Sequence, residues 1–326
     1  MTSPMPSLFI TRRMPDAVER RAQESYDCRM NRTDEAHDQD GLIEGAEGCQ
    51  GIMTCATDKW PEDVIEALPD TVRIIATLSV GFEHIDLGAC RSRGIAVTNT
   101  PDVLSESTAD TTMLCLLGAA RRASEGERMV RDGDWTGWAP TQLLGIELNG
   151  AHLGIVGMGR IGRAVAARAR GFGMIVHYHN RSRLPEDLEQ GAIYHDRLEA
   201  MLPKVRFLSL NAPGGEATKH LLNDRTLAML PKGAVVVNTA RGLLIDDDAL
   251  IRAMTDGHVF AAGLDVFNGE PDLDARYRAM PNTFLLPHLG SATVETRNAM
   301  GFRCLDNLDA VLLRGERAPD DLTRVS

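Results

Sequence analysis

Stretch 152–183, HLGIVGMGRIGRAVAARARGFGMIVHYHNRSR, constrains this chain more than any other. The apolar run 153–156 is too short for a buried helix and has the length of a central strand. Gly157, Met158, Gly159, Arg160, Ile161 and Gly162 follow in the spacing G-x-G-x-x-G. Residues 161–170 read as an Ala-rich helix that Gly171 stops, and 174–178 as a second strand. A strand–helix–strand unit of about 30 residues is the setting in which this glycine spacing binds a dinucleotide. Gly157 permits the tight turn, Gly159 lets the backbone approach a pyrophosphate, and Gly162 allows the helix to pack closely on the strand. The N–H groups and dipole of the helix start then hold the phosphates.

The far end of the unit departs from the NAD pattern. An NAD site carries Asp or Glu at the tip of the second strand, where it binds the ribose 2′-hydroxyl. Here the tip is His179-Asn180-Arg181-Ser182-Arg183, with no carboxylate, two guanidinium groups and a hydroxyl. Asn180, Arg181, Ser182 and Arg183 are therefore expected to form a pocket for the 2′-phosphate of NADP. A solvated basic loop is the plainer alternative. NADP(H) is the expected cofactor, and NAD(H) the other candidate.

A length of 326 residues suggests two domains, and 43% apolar with 25% charged residues is enough for substantial cores. The net charge of −11 argues against a nucleic-acid or anionic-membrane partner. No apolar run reaches the length of a membrane span. The start, MTSPMPSLFITRR, lacks the layout of a secretory signal. Six cysteines, at 28, 49, 55, 90, 115 and 304, form no C-x-x-C pair. That spacing fits a reducing cytoplasm rather than a disulfide or zinc framework.

Residues 1–100 read as a small α/β domain, with strands over 8–11, 52–54, 72–78 and 95–98 and helices over 16–24 and 61–68. The acidic, Gly-rich segment 31–51 is expected to be loop. Thr100-Pro101 makes a natural hinge. A long helix is expected over 104–122, with Leu114, Leu117 and Ala120 on its apolar face and Arg121 and Arg122 complementing its dipole. Trp135 and Trp138 lie on a Gly/Pro-punctuated loop and should pack on something: the domain's own surface, a second subunit or a substrate pocket. Beyond the central unit, strands 207–210, 234–237, 260–266 and 283–286 alternate with helices 198–202, 223–230 and 246–254. The pattern predicts a doubly wound parallel sheet of at least six strands. A last helix, 293–313, follows after that sheet is full and is expected to return to the first domain. The expected division is thus 1–100 with 292–326 as a lid domain, and 101–291 as the dinucleotide domain.

Ligands of open α/β sheets bind outside the carboxyl ends of the strands. That rule singles out 211–213, 238–242, Asp265 and 287–290, with Glu270 one short turn further on. Arg241 offers a planar fork suited to a carboxylate, and its charge polarises an adjacent carbonyl. His288 as imidazolium can protonate a carbonyl oxygen as hydride arrives. Glu270 beside it would favour the charged ring and fix its orientation. The other eight histidines read as structural, with His177 and His179 alternating on the second strand.

With these residues in place the chain resembles the D-isomer-specific 2-hydroxyacid dehydrogenases along essentially its whole length. The resemblance rests on LSVGFEHIDL (78–87), ESTADTTMLCLL (106–117), GMGRIG (157–162), NTARGLLID (238–246), GLDVFNGEP (263–271) and LPHLGSAT (286–293). WTGWAPTQLLG (135–145) and HYHNRSRL look like bacterial glyoxylate/hydroxypyruvate reductases in particular. The resemblance implies an α/β protein, with a Rossmann nucleotide domain and a smaller flavodoxin-like substrate domain. It implies reduction of glyoxylate and hydroxypyruvate with the catalytic set Arg241, Glu270 and His288. Backbone groups of Val80 and Gly81 are implied at the substrate carboxylate, and a homodimer built on the nucleotide domain. The dinucleotide site is expected to include Thr108, Ala212, Pro213, Thr218, Thr239, Ala240, Arg241, Asp265, His288 and Gly290. Thr108, Asp265 and Gly290 match positions at the nicotinamide end. Glu83 departs from the family, where many members have Asp, and the lack of a C-terminal regulatory domain counts against the long phosphoglycerate dehydrogenases. Two alternatives remain open here, a broader NAD-dependent D-2-hydroxyacid dehydrogenase and a non-catalytic, dinucleotide-sensing corepressor.

Overall fold

Alternation of short apolar runs with capped helices produces two separate parallel sheets. The computed structural model describes residues 4–324. Residues 1–3 of the N-terminal stretch and 325–326 of the expected lid segment lie outside the described residues. The chain divides into two units, Met1–Leu104 with Ala292–Ser326, and Ser105–Ser291.

In the first unit the order is β1 Ser7–Ile10, α1 Asp16–Ser25, β2 Asp27–Met30, α2 Gln39–Ala46, β3 Gly51–Thr54, α3 Glu62–Ala67, β4 Ile74–Thr77, α4 Leu87–Ser92 and β5 Ala96–Thr98. The strands lie in the order β2-β1-β3-β4-β5, all parallel, which is the flavodoxin-like arrangement. Every residue of β3 and β4 is buried, as strands covered by helices on both faces must be. Segment 31–51 is not all loop. Asp38 caps α2 by accepting from Gly41 N at 2.9 Å, and Gly45 packs so tightly on Phe9 that a Cβ would lie 2.3 Å from its ring. The glycine that looks like a helix breaker is there for close approach.

The second unit runs α5 Ser105–Ala120, α6 Ala123–Arg131, β6 His152–Val156, α7 Arg160–Gly171, β7 Ile175–His179, α8 Glu186–Glu189, β8 Ile193–His195, α9 Leu198–Met201, β9 Phe207–Leu210, α10 Asp224–Leu227, β10 Ala234–Asn238, α11 Asp247–Thr255, β11 Val259–Leu264, α12 Ala275–Ala279 and β12 Thr283–Leu285. Its seven parallel strands take the order β12-β11-β10-β9-β6-β7-β8. The sheet grows in opposite directions from β6, so the topological switch point of this Rossmann sheet falls between β6 and β9. Along β10, Val235 and Val237 join Ile155, Val165 and Leu116 on one face. Ala234 and Val236 join Leu208, Leu250 and Tyr277 on the other, the two-residue period of a strand.

The helix expected over 104–122 differs from that expectation in its buried face and its end. Leu114 is 49% exposed, Leu117 and Ala120 keep to the core, and small groups make the closest approaches to the sheet. Gly118 lies under Phe284, where a Cβ would come within 2.5 Å of the ring, and the Cys115 carbonyl would lie 2.4 Å from a Cβ on Gly263. The helix stops at Ala120. Arg122 takes φ +54°, begins α6, and grips Glu125 with two bonds of 2.7 Å.

Three histidines make a chain across the sheet. His152 Nδ1 lies 2.7 Å from His177 Nε2, and His177 Nδ1 lies 2.9 Å from His195 Nε2. His177 and His195 are buried. Burial pushes His177 down to about 4, with the charges of His152, His195 and Lys204 acting in the same direction. His177 and His179 do not alternate: two residues apart on one strand, they share a face.

After the sheet, α13 Val294–Leu312, capped by Thr293, packs on α1, β3 and β4 of the first unit. Gly301 meets Val18 there so closely that a Cβ would sit 2.4 Å away.

Candidate active site

The glycine loop sits at the switch point. Gly157 has φ +93°, and a Cβ there would lie 2.7 Å from the backbone of Asn211 and Ala212, in the loop after β9. A Cβ on Gly162 would lie 2.2 Å from the Gly157 carbonyl, so α7 packs directly on the turn. A Cβ on Gly159 would meet no protein atom within 4 Å. That residue is the N-cap of α7, and the space beside it faces first-turn N–H groups that have no acceptor inside their own helix. The cradle fits a dinucleotide pyrophosphate. Met158, Arg160 and Ile161 complete the loop. Across it, Thr218 Oγ1 donates to the Pro213 carbonyl at 2.8 Å, tying the loop that follows Ala212.

The tip of β7 divides its four candidate residues. Asn180 Oδ1 accepts from Met158 N at 2.6 Å, and Gly157 N donates to the His179 carbonyl at 3.0 Å, so Asn180 braces the glycine loop. Arg183 is committed elsewhere. Its Nε and Nη2 donate to the two oxygens of Glu189 at 2.8 and 2.9 Å, and its guanidinium stands 5.9 Å from the centre of the Tyr194 ring. Glu189 is 4% exposed and also accepts from the Tyr178 hydroxyl at 2.5 Å. The Arg183 guanidinium, followed by that hydroxyl, pulls the Glu189 carboxyl down to about 2. Arg181 and Ser182 remain exposed at the tip. Arg183, expected at the 2′-phosphate site, thus has two of its N–H groups on a carboxylate of the next helix. An acidic residue six positions after Arg183 was the available signal, and Tyr178 carried none.

The rim beyond β10, β11 and β12 brings Arg241, Glu270 and His288 together. Asn238 shapes the first turn, donating from Nδ2 to the Arg241 carbonyl at 2.8 Å and accepting from Ala240 N at 3.0 Å. Thr239 is held by a 2.7 Å bond between its hydroxyl and that of Thr112. A Cβ on Gly242 would lie 2.0 Å from the Phe267 backbone. The Arg241 turn is thereby pressed against the loop that carries Glu270.

Asp265, fully buried at the end of β11, accepts from Leu289 N at 2.6 Å and Gly290 N at 2.9 Å, while its carbonyl accepts from His288 N at 2.9 Å. Burial pushes its carboxyl up despite those bonds and the charge of His288. Thr108 donates to the Gly290 carbonyl at 3.2 Å. These bonds hold His288 at φ +56°, a left-handed conformation that costs a non-glycine residue about 1–2 kcal/mol. Strain of this kind persists where the surroundings over-determine it. His288 Nδ1 lies 2.8 Å from Glu270 Oε2, and Glu270 Oε1 accepts from Phe267 N at 2.8 Å. Burial pushes the Glu270 carboxyl up, but the His288 bond, the Phe267 N–H and the Arg241 charge outweigh it, and the net shift is down. Glu270 is therefore ionised at neutral pH. With Nδ1 engaged, Nε2 is the nitrogen available to a reactant.

Val80 and Gly81 lie in the first unit, in the loop after β4. Asn99 Nδ2 donates to the Val80 carbonyl at 2.8 Å and Ser79 Oγ to the Gly81 carbonyl at 2.5 Å, so the backbone of this loop is fixed from both sides. Asn99 was not singled out in the sequence.

A family model described as D-isomer specific 2-hydroxyacid dehydrogenase, NAD binding domain, matches residues 113–290. The chain is 42% identical over 306 residues to a glycerate dehydrogenase of Hyphomicrobium methylovorum, spanning 93% of this chain and 95% of that protein. It is 39% identical over 320 residues to a glyoxylate reductase of Thermococcus litoralis, spanning 97% and 96%. Among solved structures, it is similar to an NADPH-dependent glyoxylate/hydroxypyruvate reductase from Sinorhizobium meliloti in complex with NADP and malonate. That match has a TM-score of 0.87 at 33% identity, over 98% of this chain and 99% of the other.

Proposed function

The chain belongs to the D-isomer-specific 2-hydroxyacid dehydrogenases, enzymes that use a nicotinamide dinucleotide, and we propose that it reduces glyoxylate and hydroxypyruvate with NADPH. The observation that carries this reading is the bonded Glu270–His288 pair, with the Arg241 charge beside it, in the same Rossmann unit as the glycine cradle. Arg241 grips the carboxylate of the 2-keto acid through its planar fork and polarises the neighbouring carbonyl. His288, oriented by the bond from Nδ1 to ionised Glu270, delivers a proton from Nε2 to the keto oxygen. Solvent then restores that proton. The reduced nicotinamide, when bound, supplies the hydride. Asp265 and Thr108 act as positioning residues that set the 288–290 turn. Backbone groups of Val80 and Gly81 contribute to carboxylate binding, which makes the first unit the substrate domain and the second the dinucleotide domain. The relatives named above, a glyoxylate reductase and a glycerate dehydrogenase, support small substrates.

NADPH is preferred because the tip of β7 offers the 2′-phosphate a guanidinium and a hydroxyl, Arg181 and Ser182, and no opposing carboxylate. A charge-assisted hydrogen bond contributes about 1.5–3 kcal/mol, roughly a tenfold to hundredfold preference. The enzyme works as a homodimer: Val130, Trp135, Trp138 and Leu144 are exposed in the second unit, and α6 buries none of its residues. An apolar surface of that extent calls for a partner, and a second copy is the natural one. Six free thiols fit the cytoplasm. The test is kcat/KM with NADPH and with NADH, for glyoxylate and hydroxypyruvate, on wild type and Arg181→Ala. NADPH should be preferred by the wild type, and Arg181→Ala should raise its KM while leaving NADH nearly untouched. A wild type that prefers NADH sinks the 2′-phosphate site.

A further inference from the structure

The NADPH reading leaves one feature of the strand tip unused. Arg183 lies two residues from Arg181, and its side chain is 65% exposed, yet its guanidinium is turned to the buried carboxylate of Glu189. Glu189 is anchored from beneath by the Tyr178 hydroxyl, which in turn accepts from Leu184 N at 3.0 Å, the residue that follows Arg183. The anchor thus joins β7, the end of α8 and the loop between them. Glu186 adds its charge to the hold on Arg183. A guanidinium that spends two N–H groups on one carboxylate cannot present the same edge to a phosphate. Paired with Glu189, it also contributes no net charge to the site.

We propose that Glu189 sets cofactor selectivity by sequestering Arg183, so that the 2′-phosphate is read by Arg181 and Ser182 alone and the preference for NADPH is held below what this strand tip can supply. The proposal rests on the reading that the tip of β7 receives the 2′-phosphate. Glu189→Gln keeps the shape of the side chain and an acceptor for Tyr178, but removes the charge that holds the guanidinium. Arg183 is then released toward the phosphate.

The experiment is a two-residue cycle on the full-length enzyme: KM for NADPH and for NADH, and kcat, for wild type, Glu189→Gln and Glu189→Gln/Arg183→Ala. Glu189→Gln should lower KM for NADPH by about tenfold, the size of one charge-assisted bond, with KM for NADH and kcat unchanged. The double variant should return to wild-type selectivity. An unchanged NADPH/NADH ratio in Glu189→Gln overturns the proposal. So does a gain that survives in the double variant, because the carboxylate would then act by its charge alone. A double variant as impaired with NADPH as Arg181→Ala overturns it too, because Arg183 would already be on the phosphate. Should Glu189→Gln fail to fold, NMR of the wild type decides. On adding NADP+, the Nε–H signal of Arg181 should move and that of Arg183 should stay, and an equal movement of both overturns the proposal. Failure of the 2′-phosphate reading is seen separately, as a wild-type preference for NADH with a neutral Arg181→Ala.

Discussion

Arg241→Lys keeps the charge at the β10 turn and loses the fork. If the two parallel N–H donors grip the substrate carboxylate, kcat/KM for glyoxylate should fall by roughly tenfold to hundredfold. The dissociation constant for NADPH, read by fluorescence titration, should not move. A variant with wild-type kcat/KM takes Arg241 out of the reaction. Glu270 makes a different prediction. Its carboxyl is held low, so it stays ionised across the working range as the partner of His288 Nδ1. Reduction needs that ring protonated, so the rate falls on the alkaline side. Glu270→Gln should bring the fall to lower pH, and oxidation of the hydroxy acid should become accessible at lower pH too. Superimposable pH–rate profiles would separate the two residues. Arg241, Glu270 and His288 were legible in the sequence because each follows a strand at the carboxyl edge, where spacing alone places it. The commitment of Arg183 to Glu189 was not, since a pair between a loop and the end of a four-residue helix depends on how that helix docks.

At the scale of elements, the histidine chain across β6, β7 and β8 makes stability depend on pH. Neutral His177 is bonded to His152 and His195, Lys204 bears on both buried rings, and His179 and Asp196 bear on His195. His177 is held near 4 in the fold against an ordinary value of 6.5. Unfolded chains therefore bind a proton that the folded protein refuses. Stability is whole above pH 6.5 and is lost as pH falls toward about 4, by up to about 3 kcal/mol. Urea unfolding between pH 7 and 4.5 should show a shallower loss for His177→Gln than for wild type, whereas parallel curves would contradict the linkage. Two departures from the sequence reading share a cause. In α2 the glycines read as loop because the ring of Phe9, which needs the space, is thirty-odd residues away. In α5 the apolar residues run round the helix, and a Gly and a Cys, not a leucine stripe, meet β11 and β12. By contrast, strand and helix around the glycine motif followed from local pattern alone.

For the whole molecule, a doubly wound sheet of at least six strands was within reach of the alternating pattern, whereas the edge strands β2 and β8 were not read and the flavodoxin-like form of the first sheet came from the family resemblance. What Trp135 and Trp138 pack on was not legible either: they stay 55% and 81% exposed in the single chain. A second copy covering them should give a dimer in sedimentation velocity, and Trp135→Glu/Trp138→Glu should sediment as a monomer, because charges at the centre of an apolar contact are costly to bury. A wild-type monomer would remove the homodimer. The account turns most directly on His288. Mix NADPH and glyoxylate with wild type and with His288→Asn, and follow the reduced-nicotinamide band at about 340 nm. Wild type should consume NADPH, and His288→Asn should bind it as well but turn over at least about a hundredfold more slowly, the usual contribution of a positioned general acid. Equal rates in the two proteins, or none in the wild type, would contradict the assignment.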